Sequence, residues 1–304
     1  MKVNDILIAL LVAVIWGVNF VVIKVGVTGI PPLFLGMLRF LFVAIPAVFF
    51  IPRPKIALNR LVIYGLTICF GQFAFLFSAV KAGMPAGIAS VVLQSQVFFT
   101  IVLGGLILKE SLKFSQVVGI IVAVVGLTVL AKGGDSGSLT DIPFMALMMT
   151  LAGGFSWACG NICNRLIMKE TPDCNGMSLV AWSALVPIIP FLLMSLYVEG
   201  ADAIISSISH ISLLTVGAIM YLAYLSTFVG YTLWSRLLGR YETWRVTPFA
   251  LLVPFAGIAS SALLLGETIT MMQFAGLGFI MAGLILTVFG KRLVSMIIRP
   301  RNVS

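Results

Sequence analysis

Apolar residues run along this chain in blocks of about twenty, separated by short clusters of glycine, proline and charge. A helix needs roughly 20 residues to cross a hydrocarbon core of about 30 Å. On that ruler ten spans are predicted, over about 6–27, 31–51, 61–80, 86–108, 114–131, 144–168, 177–198, 209–235, 243–265 and 271–290. Inside these blocks the few polar residues return at helical spacing. Trp16, Asn19 and Ile23 fall on one face of the first span, and Trp157, Asn161 and Asn164 on one face of the sixth. Tyr221, Tyr224, Thr227, Tyr231 and Ser235 form a stripe along the eighth, and the third offers Tyr64, Thr67 and Gln72. Groups that are costly in lipid normally face a bundle interior or a wet cavity, so these faces predict the walls of a central cavity.

Each position also has a plainer reading. Asn19, Gln72, Asn161 and Asn164 can hold two helices together instead of meeting a ligand. Tryptophan and tyrosine favour membrane interfaces, which suits Tyr64 and Trp234 near span ends, whereas Trp16 and Trp157 near mid-span fit a cavity wall. Gln94 and Gln96 in the fourth span lie about 200° apart on a helix, so only one of them is expected to face the cavity. Arg39 is about eight residues into the second span with no acid near it, and either bonds backbone carbonyls, near a kink at Pro46, or receives an anionic ligand group such as a carboxylate. Lys24 and Arg165 lie close enough to span ends to reach the surface.

The chain repeats itself. Trp16 and Lys24 return 141 residues later as Trp157 and Arg165, while Lys109-Glu110, Gln116, Gly119 and Gly126 return 157 residues later as Gly266-Glu267, Gln273, Gly276 and Gly283. Five spans fall in each copy, and an odd number obliges the copies to lie upside down relative to each other. The expected organisation is a first five-helix repeat over 1–131, a Gly/Ser/Asp-rich linker over 132–143, a second, inverted repeat over 144–290, and a basic tail over 291–304. In spans five and ten the glycines lie seven apart on one face, which permits close helix approach and predicts scaffold or homodimer contacts outside any transport path.

Composition fixes the solvent: 61% of residues are hydrophobic and 10% charged, against about a quarter charged in soluble domains. The surroundings are therefore membrane lipid. The first span is longer than a signal-peptide core and no small-residue cleavage site follows it, so it is expected to be retained. The net charge of +9 is distributed by side. With both termini cytoplasmic, Lys2, Arg53, Lys55, Arg60, Lys109, Lys113, Arg165, Lys169, Arg236, Arg240, Arg245, Lys291, Arg292, Arg299 and Arg301 lie inside and only Lys81 and Lys132 outside, the bias that sets orientation. Scattered over short loops, these charges form no nucleic-acid patch.

Enzyme chemistry finds no support. No carboxylate lies deep in a span, an intramembrane serine would lack an activating base, and GGDSG near 133–137 opens no phosphate-binding helix. The four cysteines, Cys69, Cys159, Cys163 and Cys174, make no disulfide framework, and no metal or cofactor is expected.

The stretches WGVNFVVIKVG, QFAFLFSAVKAGMPAGIASVVLQSQ, FSWACGNI and LLGRYETWRV, with a Glu followed by Gln-x-x-Gly closing each repeat, resemble the EamA-type branch of the drug/metabolite transporter superfamily over nearly the whole chain. The resemblance implies an all-α integral membrane protein of ten helices around a central cavity in the bacterial inner membrane. It also implies alternating-access efflux of small thiol or acetylated amino acids, cysteine and O-acetylserine, coupled to the proton gradient. The alternative is a broad-specificity efflux pump for aromatic amino acids or drugs, which the Trp/Tyr-rich faces would suit. The expected binding residues are Trp16, Asn19, Arg39, Gln72, Gln94, Trp157, Asn161, Asn164, Tyr224 and Tyr231.

Overall fold

The computed structural model describes residues 1–132, 142–241 and 243–298. Most of the linker expected over 132–143 and the end of the tail lie outside them. Among the described residues every regular element is helical. Nine helices are long and apolar enough to cross a membrane: α1 (Val3–Gly29), α2 (Pro32–Phe50), α3 (Leu58–Lys81), α4 (Ala86–Ile107), α5 (Phe114–Lys132), α6 (Phe144–Glu170), α7 (Gly176–Val198), α9 (Leu213–Trp234, continuing to residue 240) and α11 (Met271–Gly290, continuing to Ile298). The apolar helix Phe249–Leu265, here part of α10 over 243–265, is shorter.

Local chemistry explains most boundaries. Pro32 opens α2, where a missing N–H costs nothing. Gly266 closes α10 in the left-handed region at φ 65°. The eighth span begins at Leu213 and not at 209, because Ser212 caps it by accepting a hydrogen bond from the Thr215 N–H at 3.1 Å. The residues before it form a short helix that periodicity did not predict, α8 (Ala201–Ser209), packed through Ile204.

Several segments depart from regular α-helix, among them a turn over 184–187 in α7 and a 3-10 stretch, Thr247–Leu251, in α10. In α3 the segment Gly65–Gly71 is π-helical, and in α9 so is Tyr221–Val229; such wide turns shift the angular phase of everything beyond them. In α4 the helix ends at Val92 and restarts at Ser95, with Leu93 and Gln94 in a tight turn.

Contacts sort the turns between helices into two ends. At the near end, where α1 begins, Arg240 lies 3.5 Å from the Asp5 carboxylate, Arg60 pairs with Glu170, Arg165 pairs with Glu110, and the Trp182 indole donates to the Ile51 carbonyl at 2.9 Å. At the far end the Glu199 carboxylate accepts from the N–H groups of Leu33 and Phe34 at 2.8 and 3.2 Å, Glu267 accepts from those of Ala86 and Gly87, and Lys81 donates to the Val27 carbonyl. The main buried core, including Phe20, Ile23, Phe77, Met84, Ile88 and Phe191, extends from mid-height to the far end. Toward the near end it gives way to two separate small clusters, one of Leu61, Tyr64, Cys163, Ile167 and Leu179, the other of Ala9, Leu237 and Val246. Tyr64, expected at a membrane interface, is therefore buried.

The glycine faces of α5 and α11 meet each other. A Cβ on Gly119 would lie 2.6 Å from the Gly283 carbonyl oxygen, and one on Gly126 would lie 2.7 Å from that of Gly276. Those faces are occupied within one chain.

Candidate functional site

At mid-height, where the main core ends, the helices enclose a cavity of about 260 Å³. The structure brings seven of the ten expected residues to its wall: Trp16 and Asn19 from α1, Arg39 from α2, Gln72 from α3, Gln94 from α4, Trp157 from α6 and Tyr231 from α9. It also places there Ser90, Phe73, Ser226 and Trp234, which periodicity had left out, and Gln96, which periodicity had not ranked against Gln94.

The aromatic side of the wall is built on α1 against α9. Trp16 lies 5.4 Å from Tyr231 and 5.3 Å from Trp234, ring centre to ring centre, both tilted. Its indole N–H donates to the Ser226 carbonyl at 3.0 Å. Asn19 is buried and its Oδ1 accepts from the Ser226 hydroxyl at 2.8 Å, while Tyr221 donates to the Ile15 carbonyl at 2.8 Å. Trp234 was expected to anchor at an interface. It faces the cavity because α9 continues to residue 240 and carries this ring well inside the helix.

Arg39 is the cation of the site. It is 2% exposed, and its guanidinium lies 4.1 Å from the centre of the Phe73 ring, a favourable cation–π distance. Phe73 is itself fixed by edge contacts with Phe40 and Phe77 at 5.5 Å each. One hydrogen bond is made, from Nη2 to the Thr227 hydroxyl at 2.9 Å, while Nε and Nη1 are buried without a partner. The alternative of carbonyl bonding near Pro46 is not what the structure displays. Buried donors are seldom left unmet, and among the described residues no carboxylate pairs with this arginine. Nε and Nη1 are sealed off as well as unpartnered, so a carboxylate would reach this planar fork only when a neighbouring side chain moves aside, and the fork would then suit it.

The amide side comes from α4. Gln94 and Gln96 both line the cavity, contrary to the expectation that only one could. The tight turn at Leu93 and Gln94 interrupts the regular 100° step on which that expectation rested. Gln96 is steadied from behind: Asn161 donates through Nδ2 to Gln96 Oε1 at 2.8 Å and to the Thr100 hydroxyl at 3.1 Å.

Three expected residues are not brought to the wall. Asn161 lies behind Gln96 and donates to it. Asn164, one turn further along α6, is half-buried, with Oδ1 unpartnered. Tyr224 is 38% exposed on the outside of the bundle. The stripe from Tyr221 to Ser235 assumed a regular helix, and the π-helical turn through Tyr221–Val229 rotates Tyr224 out while Thr227 and Tyr231 stay in. Among the described residues, none of α5 or α11 lines the cavity.

The four cysteines are unpaired. Cys174, between α6 and α7, has its thiol pushed up by burial, away from a reactive thiolate.

Known proteins match this chain along nearly its whole length. A sequence profile of the EamA-like transporter family matches residues 4–132 and, separately, 144–289. A protein of Salmonella typhimurium described as a probable amino-acid metabolite efflux pump is 56% identical over 289 residues, which is 95% of this chain and 96% of that one. Its namesake in Escherichia coli is 53% identical over the same lengths. A crystal structure 16% identical in sequence superposes with a TM-score of 0.60, covering 99% of this chain and 100% of that one, a likeness of fold.

Proposed function

Because the chain belongs to the EamA-like transporter family and is a multi-pass membrane protein, we propose that it exports small amino-acid metabolites across the bacterial inner membrane, with cysteine and O-acetylserine as substrates. The observation that carries this reading is Arg39, a residue of the cavity wall among amides and aromatic rings whose guanidinium keeps two buried donors without a partner. A zwitterionic substrate would set its carboxylate on Arg39. Its ammonium would find acceptors in Asn19, Gln72, Gln94 or Gln96 and the π-faces of Trp16 and Tyr231. At about 260 Å³ the cavity is smaller than the roughly 300–1,000 Å³ typical of drug-sized ligands, which favours a small metabolite. The ring cluster of Trp16, Tyr231 and Trp234 favours a second reading, efflux of aromatic amino acids.

The arrangement proposed is ten spans in two inverted five-helix repeats, with both termini cytoplasmic and the near end therefore inside. Its supports are the basic residues gathered at the near end, the two separate family matches, and local structures that recur 157 residues apart. The π-helical turns in α3 and α9 are such a pair. So are the left-handed residues Lys109 and Gly266, and the bonds from the Lys113 N–H to Gln116 Oε1 at 2.9 Å and from the Thr270 N–H to Gln273 Oε1 at 3.0 Å. Transport follows alternating access driven by the proton gradient. A homodimer, also proposed, would use the lipid-facing sides of the bundle, since the glycine faces of α5 and α11 are occupied.

Cells expressing the protein are expected to release cysteine and O-acetylserine several-fold faster than an empty-vector control, and a protonophore should abolish the difference. Release of phenylalanine or tryptophan with no change for cysteine would replace this reading with the second one.

A further inference from the structure

Gln96 meets the cavity in one fixed sense. Behind it α4 and α6 cross so closely that a Cβ on Gly154 would lie 3.3 Å from the Gln96 backbone nitrogen and 2.7 Å from Ser95 Oγ. That approach sets the register in which Trp157 reaches the cavity wall while Asn161, one turn further along α6, stands behind Gln96.

Which end of the Gln96 amide is free follows from Thr100. The Thr100 hydroxyl donates to the Gln96 backbone carbonyl at 2.6 Å. A carbonyl has no hydrogen to give, so the single hydroxyl hydrogen is committed to that bond, and toward any third group Thr100 can only accept. The part of the Asn161 amide 3.1 Å from it is therefore the NH2. The same Nδ2 also lies 2.8 Å from the Gln96 side chain, where it needs an acceptor, and the atom it meets is Oε1. Gln96 Nε2 is left over. It has no hydrogen-bond partner among the described residues, and unlike Arg39 Nε and Nη1 it is not sealed off. Gln96 thus offers the cavity a donor, and with its oxygen already engaged it serves a substrate acceptor better than a substrate ammonium.

We propose that Gln96 selects the substrate side chain: its NH2 donates to an acyl carbonyl oxygen, such as that of O-acetylserine, and Asn161, fixed by Thr100, keeps the amide turned that way. This rests on the reading of the cavity as a site for small amino-acid metabolites whose carboxylate is taken by Arg39. The carboxylate and the acyl group are at opposite ends of such a molecule, so each needs its own donor. A thiol accepts only weakly, and cysteine gains little from Gln96. Asn161 does not line the cavity; it is a positioning residue.

The test compares two substrates in one protein. O-acetylserine and O-ethylserine share the zwitterionic head and nearly the same shape, but the ether lacks the carbonyl oxygen. In liposomes holding the purified chain, below saturation, wild type should move O-acetylserine about two- to tenfold faster than O-ethylserine, the worth of one neutral hydrogen bond. Gln96→Leu should bring the ratio to about one. Asn161→Leu, which lets the amide turn either way, should give a ratio between those two, and adding it to Gln96→Leu should change nothing further. Protein amount cancels within each ratio, and Gln96→Met and Asn161→Ala replace any variant that does not reconstitute. A flat ratio in wild type, or the wild-type ratio in Gln96→Leu, overturns the proposed donor; the wild-type ratio in Asn161→Leu would mean that Asn161 only joins α4 to α6. Cysteine efflux measured alongside tests the underlying reading: its absence refutes that reading, whereas a flat ratio with cysteine efflux intact refutes the role of Gln96 alone.

Discussion

Replacing Arg39 by methionine is expected to leave the protein folded, at least as resistant to heat in detergent as the wild type, and unable to export its substrate. Arg39 is 2% exposed and its guanidinium is hydrogen-bonded only to Thr227. A buried ion lacking a counter-ion costs several kcal/mol, and a cation–π contact with Phe73 returns only about 0.5–2 kcal/mol. Methionine keeps apolar bulk and removes the charge, so stability should hold or rise. Transport has the opposite dependence. Each charge-assisted hydrogen bond to a carboxylate contributes about 1.5–3 kcal/mol, and losing two should lower efflux per folded molecule by well over tenfold. Arg39→Lys, which keeps the charge but not the planar fork, should retain part of the activity. Thermal unfolding alongside efflux normalised to folded protein checks this; equal loss of both in Arg39→Met would make the residue structural.

The largest loss of stability is expected at the crossing of α1 and α10. A Cβ on Gly17 would lie 2.8 Å from both the Ala256 carbonyl carbon and the Gly257 nitrogen. These are backbone atoms that cannot rotate away, so the helices themselves must separate. Overpacking a tight core costs about 1–3 kcal/mol, and Gly17→Val should lie at or beyond the top of that range. Because α1 and α10 both line the cavity, transport should fail together with folding. Gly278→Ala supplies the comparison: nothing lies within 4 Å of the added methyl, and removing a glycine from a helix should stabilise it by about 0.5–1 kcal/mol. Melting temperatures in detergent decide it, and similar values for the two variants would contradict the packing described.

Much of this molecule can be read from its sequence, for a physical reason. Lipid demands helices of a set length with every backbone group satisfied, so the apolar blocks predicted helices whose ends fall within a few residues of those observed. The polar stripes located Trp16, Asn19 and Trp157 because each lies on a regular stretch of helix; Gln72 and Tyr231, just past the π-helical turns, also reach the wall. Part of what periodicity missed traces to departures from 3.6 residues per turn. The π-helical turn through Tyr221–Val229 turned Tyr224 outward, and the tight turn at Leu93 and Gln94 admitted both glutamines. Trp234 was missed because its position near the end of an apolar block pointed to the interface, whereas the helix carrying it runs on.

The central claim is that the Arg39 guanidinium receives the substrate carboxylate, and a cycle in which both groups are removed in turn tests it most directly. Purified wild type and Arg39→Met, reconstituted in liposomes, would each be given cysteine and cysteine amide, which lacks the carboxylate charge. The account predicts that wild type moves cysteine more than tenfold faster than the amide, as expected when a charge-assisted hydrogen bond is lost, and that Arg39→Met moves both at the same low rate. An equal preference for the carboxylate in both proteins would contradict it.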